Sequence, residues 1–112
     1  MSWLLTAATI TAYCHCARCC GEAHRAAANG HQPVAGLTVA GPRWIPLGTH
    51  VYIEGIGERV VTDRLARIYD DRFDVFVATH EEARRFGRQR HNVRLGVTSN
   101  IQRKDLRTPA RH

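Results

Sequence analysis

Hydrophobic and polar positions alternate in short stretches along this chain, which is the pattern of half-buried β-strands. The clearest case is Val93, Leu95 and Val97, which alternate with polar or small residues. β-Branched and aromatic residues concentrate in further short stretches, and these also predict strands. Strands are therefore expected at residues 3–13, 37–40, 51–53, 59–62, 73–77 and 93–97.

Two short helices are predicted between these strands. Residues 22–28 form the first, which ends at an Asn-Gly pair that tolerates positive φ. The second begins with a capping box in which the Thr79 hydroxyl caps the amide of Glu82, and it ends at Gly87. Six short strands and two short helices favour a small, mainly β closed barrel, because closure removes exposed sheet edges.

Length and composition indicate one globular domain. The chain has 112 residues and 44% hydrophobic content, which suits a single core and excludes global disorder. No apolar run approaches the roughly 18–20 residues of a membrane helix. Residues 1–10 are apolar but lack a basic n-region, so we interpret them as a strand, and no export signal is expected. The predicted division is a barrel domain at 1–97 and a basic tail at 98–112.

Positive charge concentrates towards the end of the chain. Residues 1–83 carry seven arginines and nine acidic residues, whereas residues 84–112 carry nine basic residues and one acidic residue. Such a segment can contact an anionic wall polymer or an acidic partner protein, or it can simply be solvated. No aromatic residue follows Phe86, so the base-stacking surface of a nucleic-acid site is not expected there.

The four cysteines form one tight group, Cys14, Cys16, Cys19 and Cys20. Four thiolates can hold a structural zinc ion, although zinc sites usually combine two cysteine pairs that lie well apart in sequence. The alternative is that some of these thiols are small buried apolar groups at a strand end. The sequence leaves both interpretations open.

Two aspartates, one at the end of a predicted strand and one inside another, are candidates for a catalytic role. Asp63 follows the strand at 59–62, and Asp74 lies inside the strand at 73–77 between Phe73 and Val75. Burial disfavours the charged form of a carboxylate, and a second carboxylate nearby raises the pKa further. One protonated and one ionised acid suit general acid–base work on a glycosidic bond. The alternative for both is a structural role, as a strand-end cap or an arginine ion pair.

Several motifs resemble, in order, those of the 3D domain family, named for three aspartates, which includes the catalytic barrel of membrane-bound lytic transglycosylase A and the stationary-phase-survival-type lytic transglycosylases. The resemblance covers roughly residues 8–97. Its most specific parts are the Ile-Pro-Leu-Gly-Thr segment at 45–49 and the step from Asp63 to Asp74. The opening Cys-x-Cys-x-x-Cys-Cys-Gly is similar to a subset of the family found in phage and small bacterial proteins. The other matching stretches are residues 11–14, 19–21, 36–40, 51–53, 61–63, 72–77 and 79–83.

The resemblance implies a six-stranded double-psi β-barrel that cleaves peptidoglycan. In such enzymes one aspartate protonates the glycosidic oxygen and then takes the proton of the muramoyl C6 hydroxyl, and a 1,6-anhydro sugar forms without water. Asp74 matches this acid/base, and Asp63 matches the aspartate that tunes it and stabilises the transition state. Tyr13 and Thr49 match positions that line the substrate groove, although packing at strand ends explains each of them equally well.

The chain departs from the family pattern at three places. Gly41 stands where the family has its first aspartate. The glycine-rich loop after Asp63 is replaced by a segment with Arg64 and Arg67, and a guanidinium near Asp74 would lower its pKa. Two hydroxyl residues of the family are replaced within residues 27–30. These departures favour an alternative function, a non-catalytic structural or glycan-binding barrel.

The leading expectation is a peptidoglycan lytic transglycosylase associated with a phage or prophage. It requires no cofactor for catalysis, and the cysteine group is a candidate structural zinc site. Its expected partners are peptidoglycan glycan strands and, through the basic tail, phage or envelope proteins. The expected place of action is the cell wall, reached from the cytoplasm in a virion or after lysis.

Overall fold

The computed structural model describes residues 3–14, 16, 30–65 and 71–96. These residues form six strands and one helix: β1 Trp3–Tyr13, β2 Thr38–Gly41, β3 His50–Ile53, β4 Gly57–Arg64, β5 Arg72–Phe76, α1 His80–Phe86 and β6 Gln89–Gly96. Every predicted strand is present, and only β6 begins well before its predicted start. The predicted helix at 22–28 and the predicted tail at 98–112 lie outside the described residues.

The six strands form a closed barrel in the order β1-β5-β2-β4-β3-β6. The pairs β1–β5 and β2–β4 are parallel, and the other four pairs are antiparallel. The mainly β fold and the six-stranded closed barrel are thus confirmed, with one helix among the described residues where the sequence predicted two. No helix in this described part is both long and apolar enough to cross a membrane.

The length of β1 closes the barrel. Its first part, residues 3–10, pairs with β6, and residues 9–13 pair with β5, so one strand bridges two neighbours. Eleven residues are needed for this, about twice the length of an average strand. Among the described strands, the first is therefore hydrogen-bonded to the last two.

The barrel core is apolar and tightly closed. Alternate residues of each strand point inwards, as the period of two in the sequence predicts. Phe73 is the largest fully buried side chain among the described residues, and burying a ring of this kind stabilises a fold by about 1.5–3 kcal/mol. The core comprises Ala8, Ile10, Val39, Ile45, Val51, Ile53, Val61, Phe73, Val75, Val93 and Leu95.

A β-bulge interrupts the pairing of β2 with β4. Val39 pairs with Val61, but the next residue, Ala40, pairs with Asp63. Thr62 is therefore an extra residue on β4 and has no counterpart on β2. Bulges of this kind re-aim the side chains that follow them. Here the bulge places Asp63, rather than Thr62, directly beside Ala40.

Helix α1 begins as the capping box predicts. The Thr79 hydroxyl accepts a hydrogen bond from the backbone N–H of Glu82 at 3.1 Å, and a Glu82 carboxylate oxygen lies 3.4 Å from the same hydroxyl. Gly87 ends the helix with φ of 65°, a conformation that suits glycine. The cap thus fixes where the helix begins and which residue, His80, is first in it.

Candidate functional site

Four residues on four strands form a row on the face of the barrel opposite the core. Thr11 pairs with Asp74 across β1 and β5, and Asp74 pairs with Ala40 across β5 and β2. Ala40 pairs in turn with Asp63 across the bulge. Directly opposed residues share a face of the sheet. We call Thr11, Asp74, Ala40 and Asp63 the acid row, in which the two aspartates flank a residue without a bulky side chain.

The spacing of strands sets the distance between the two carboxyl-bearing residues. Neighbouring strands lie about 4.8 Å apart, so the Cα atoms of Asp63 and Asp74 are about 10 Å apart across Ala40. The acid row thus brings together the two aspartates that the sequence predicted as a pair.

Two side chains hold one oxygen of Asp74. The Thr11 hydroxyl donates a hydrogen bond to Oδ1 of Asp74. Nε of Arg72 donates to the same oxygen at 3.0 Å and lies 2.9 Å from the Thr11 hydroxyl oxygen. Within the described residues Oδ2 receives no hydrogen bond. The second oxygen of the carboxyl group is therefore the one that can hold a proton and present it to a substrate.

The pKa of Asp74 is raised above its usual value of 3.8. Burial of the carboxyl group is the main cause, because only 15% of the side chain is exposed and the charged form is poorly solvated there. The charge of Arg72 and its hydrogen bond act in the opposite direction and are outweighed. A buried carboxyl group that binds its proton more tightly is suited to general acid chemistry.

Asp63 is more buried than Asp74 and is held by the backbone. Its residue is 9% exposed, and Oδ1 accepts a hydrogen bond from the backbone N–H of Arg64 at 2.8 Å. This contact orients the carboxyl group at the end of β4. Asp63 can contribute negative charge to the acid row from a fixed position.

Tyr13 and Thr49, the other two predicted site residues, have different surroundings. Tyr13 lies on the same face of β1 as Thr11, two residues further along, and its ring meets Phe76 edge-on with centroids 5.2 Å apart. Tyr13 and Phe76 pack with Ala40, so Tyr13 borders the acid row. Thr49 is buried, and its hydroxyl donates to the carbonyl of Pro46 at 2.7 Å. Its hydroxyl therefore serves the turn before β3.

The structure gives physical reasons for two of the departures from the family pattern. A side chain at Gly41 would meet Val61 at 3.2 Å and Phe73 at 3.4 Å, so this position points towards the core and has little room for a third carboxylate. The Arg64 guanidinium donates to the carbonyls of Arg43 and Ile45 at 3.0 and 3.2 Å. The arginine at Asp74 is thus Arg72 rather than Arg64, and Arg67 lies outside the described residues.

A second cluster lies where β1 ends. The sulfur atoms of Cys14 and Cys16 are 3.1 Å apart, and Sγ of Cys16 is 3.3 Å from Nδ1 of His80. The three ligand atoms all lie within 4.8 Å of one another. We call Cys14, Cys16 and His80 the thiol–histidine cluster. Cys19 and Cys20, the other two predicted zinc ligands, lie outside the described residues.

The described part of the basic segment is largely ion-paired. Three of its arginines have acidic partners: Arg85 with Glu81 at 2.6 Å, Arg90 with Asp71 at 3.7 Å, and Arg94 with Glu54 at 3.8 Å. All three contacts are at the surface, where such pairs contribute little to stability. These pairs reduce the positive charge that α1 and β6 offer to an anionic polymer.

Three residues at these sites were not identified from the sequence: Thr11, Arg72 and His80. Thr11 alternates with Tyr13 on β1, and Arg72 with Asp74 on β5, so the period of two placed each on the same face as a predicted residue. That signal was available. The sequence gives no such signal for His80, because its proximity to Cys16 depends on how α1 packs against the end of β1.

Comparison with known proteins identifies the family. A model of the 3D domain matches residues 37–99, which is more than half of the chain and includes both aspartates of the acid row. The cell wall-binding protein YocH of Bacillus subtilis (strain 168) is 35% identical over 63 residues, or 56% of this chain and 22% of that protein. The match thus spans less than a quarter of the relative's length. Together with the closed six-stranded barrel, the family match shows that this chain belongs to the 3D domain family.

Proposed function

We propose that this chain is a peptidoglycan lytic transglycosylase that cleaves the β-1,4 bond between N-acetylmuramic acid and N-acetylglucosamine. Membership of the 3D domain family and a relative named for binding the cell wall support a substrate in the wall. The observation that carries the catalytic part is the state of Asp74: a raised pKa, with Oδ1 fixed and Oδ2 available.

In the first step, protonated Asp74 donates its proton from Oδ2 to the glycosidic oxygen. The bond between that oxygen and C1 of the muramoyl residue breaks, and positive charge develops on the sugar ring. The negative charge of Asp63, two strands away in the acid row, stabilises this oxocarbenium-like transition state. Thr11 and Arg72 keep the Asp74 carboxyl group in one orientation throughout.

In the second step, the Asp74 carboxylate takes the proton of the muramoyl C6 hydroxyl. The C6 oxygen then bonds to C1, and the product is a 1,6-anhydro sugar. Asp74 regains the proton that it gave up, so one carboxyl group serves both steps and no water is consumed. Arg72 favours the ionised form that is needed here, while burial favours the protonated form needed in the first step.

Digestion of intact peptidoglycan sacculi tests this proposal. We expect the protein to release muropeptides that end in 1,6-anhydro-muramic acid, which mass spectrometry distinguishes from hydrolysed ends by the mass of one water. Asp74→Asn should reduce release at least about a hundredfold, because general acid–base catalysis by one group is worth that much or more.

Asp71→Asn is the matched control, since Asp71 lies at the start of the same segment with a more exposed side chain paired to Arg90. This variant should cleave like the parent. Hydrolysed ends in place of anhydro ends would change the reaction but keep the substrate. Equal cleavage by Asp74→Asn and the parent would remove Asp74 from its role.

A non-catalytic glycan-binding barrel is the second candidate function. The ion pair of Arg72 with Asp74 and the core-facing Gly41 favour it, because both make the acid row less like a three-aspartate site. This function predicts saturable binding to sacculi without products. Replacing both Asp63 and Asp74 by asparagine would then leave binding unchanged.

The same proposal places the action at the cell wall, with the protein carried in a virion or acting after lysis. The basic residues from Arg84 onwards would then contact anionic wall polymers, or phage or envelope proteins. Lowering the charge at Arg84 and Arg88, which are both exposed, should weaken sedimentation with sacculi at low salt more than at high salt.

A further inference from the structure

We propose that the thiol–histidine cluster is a zinc site, with Cys14, Cys16 and His80 as ligands. This inference does not depend on the proposed cleavage of peptidoglycan, because none of the three residues belongs to the acid row. It differs from a site formed by the four cysteines alone, since it assigns a histidine ligand from a distant part of the chain.

The geometry supports a shared metal ion. Zinc binds sulfur at about 2.3 Å and imidazole nitrogen at about 2.0–2.1 Å in a tetrahedral arrangement. Two thiolates on one zinc ion are then about 3.8 Å apart, and a thiolate and an imidazole nitrogen about 3.6 Å apart. The observed separations are 3.1 Å for Cys14 and Cys16 and 3.3 Å for Cys16 and His80. To admit the ion, the two sulfur atoms would have to separate by about 0.7 Å more, and Sγ of Cys16 and Nδ1 of His80 by about 0.3 Å more.

A disulfide fits this geometry less well than a metal ion does. A bonded sulfur pair is about 2.05 Å apart, about 1 Å shorter than the observed separation of Cys14 and Cys16. Two thiolates and an imidazole are, by contrast, ligands that zinc binds in proteins.

The charges suit the location of the cluster. Cys14 is 2% exposed, and the residue before it, Tyr13, forms an apolar cluster with Phe76 at the end of β5. A divalent ion with two thiolates and a neutral imidazole has no net charge, so it can occupy a partly buried position at low cost. Three protein ligands leave one tetrahedral position for a water molecule or another donor.

The metal would connect two segments beside the acid row. Cys14 directly follows β1, and His80 is the first residue of α1. The same two segments already meet where the backbone N–H of Val77 donates to the carbonyl of Tyr13 at 2.8 Å. A bound ion would fix the chain after Tyr13 against α1 and so hold one border of the acid row.

Zinc titration of the whole chain tests this proposal. The protein is purified under reducing conditions, stripped with a chelator and titrated with zinc in competition with a chromophoric chelator. We expect one zinc per chain and at least a tenfold loss of affinity in each of Cys14→Ser, Cys16→Ser and His80→Ala. At a hundredfold excess of zinc over its dissociation constant, the parent's melting temperature should rise by roughly 10 °C.

Two variants control for folding and for non-specific binding. His80→Cys supplies a thiolate at the same position and should bind zinc more tightly than His80→Ala. His91→Ala should bind like the parent, because His91 lies on β6 and contacts Gln89. Circular dichroism of the stripped proteins shows whether each variant is folded before metal is added.

Cobalt and NMR give readouts that do not depend on affinity. Cobalt in the site should produce a sulfur-to-metal charge-transfer band that Cys14→Ser weakens, and zinc should shift the Nδ1 resonance of His80. Binding by His80→Ala as tight as the parent's would overturn the proposal and leave the cysteines alone as ligands. Absence of zinc binding in the reduced parent, or a Cys14–Cys16 disulfide formed in its place, would also overturn it.

Discussion

Arg72 and Asp74 lie two residues apart on β5, and Nε of Arg72 donates a hydrogen bond to Oδ1 of Asp74 at 3.0 Å. The arginine side chain is 22% exposed and the aspartate side chain 15% exposed, so water screens their interaction only in part. Burial and this cation act on the pKa of Asp74 in opposite directions. Their balance sets the pH range in which Asp74 can donate a proton.

Removing the charge of Arg72 should move the activity to higher pH. A general acid must be protonated, so cleavage falls as the pH rises through the pKa of Asp74. Arg72 lowers that pKa, so Arg72→Gln raises it, and the protonated form persists to higher pH. When the rate of muropeptide release is plotted against pH, the decrease on the alkaline side should occur at a higher pH in Arg72→Gln than in the parent.

The control for this shift is Arg90→Gln, because the Arg90 guanidinium donates a hydrogen bond to the Thr9 hydroxyl on β1 rather than to Asp74. Its pH profile should coincide with that of the parent. A profile for Arg72→Gln that moves to lower pH, or does not move, would contradict the assignment of Arg72.

Loss of the Thr11 hydroxyl should slow the reaction without disturbing the fold. Thr11→Val keeps the shape but removes the donor to Oδ1 of Asp74. A hydrogen bond to a charged group is worth about 1.5 kcal/mol, so the maximal rate should fall about tenfold. Thr11→Ser should restore most of it. Thr9→Val, on the same face of β1, should leave the rate unchanged, and an equal loss there would indicate a general effect on β1.

Asp74 should also make the stability of the protein depend on pH. Its pKa is higher in the folded than in the unfolded state, so it favours folding below pH 3.8 and this contribution is lost as the pH rises through the raised pKa. Every tenfold gain in the affinity of the carboxyl group for its proton on folding corresponds to about 1.4 kcal/mol. Asp74→Asn, which cannot ionise, should therefore gain stability relative to the parent between low and neutral pH.

Urea unfolding of the parent and Asp74→Asn at several pH values measures this difference. The informative quantity is its change with pH, since asparagine also has a constant effect on packing. A difference that shrinks as the pH rises would mean that the folded state stabilises the charged form of Asp74.

A third aspartate at position 41 should destabilise the barrel rather than complete the site. Gly41→Ala already places a methyl group 3.2 Å from Val61, and such overpacking typically costs about 1–3 kcal/mol. Gly41→Asp adds the burial of a carboxyl group beside Phe73, so its unfolding midpoint in urea should be lower still. A stable Gly41→Asp with faster cleavage would show that this side chain reaches the acid row.

The strands were predictable because each buries alternate residues, and that period is local in sequence. The step from Asp63 to Asp74 was equally accessible from the sequence. The hydrogen-bond partners of Asp74 were harder to predict, because Thr11 lies 63 residues away and contacts Asp74 only through the parallel pairing of β1 with β5. Such a pairing depends on the whole barrel rather than on a sequence window.

The bulge and the histidine illustrate the same limit. Nothing in residues 59–64 shows which residue of β4 lacks a counterpart, since that depends on the register with β2. His80 was predictable as a helix start but not as a neighbour of Cys16, from which it is 64 residues distant. Positions along one strand follow from the local pattern, whereas contacts between segments follow from the topology.

The closure of the barrel by β1 has a consequence for how the protein folds. Trp3 pairs with Gly96 and Tyr13 with Phe76, so the earliest described strand acquires its neighbours only when the latest segments are in place. Bringing such distant segments together costs loop entropy before any contact compensates for it, and chains with this feature fold slowly. During synthesis on the ribosome, both edges of β1 would remain unpaired until residues 72–96 have emerged. The chain is most prone to aggregation in this interval.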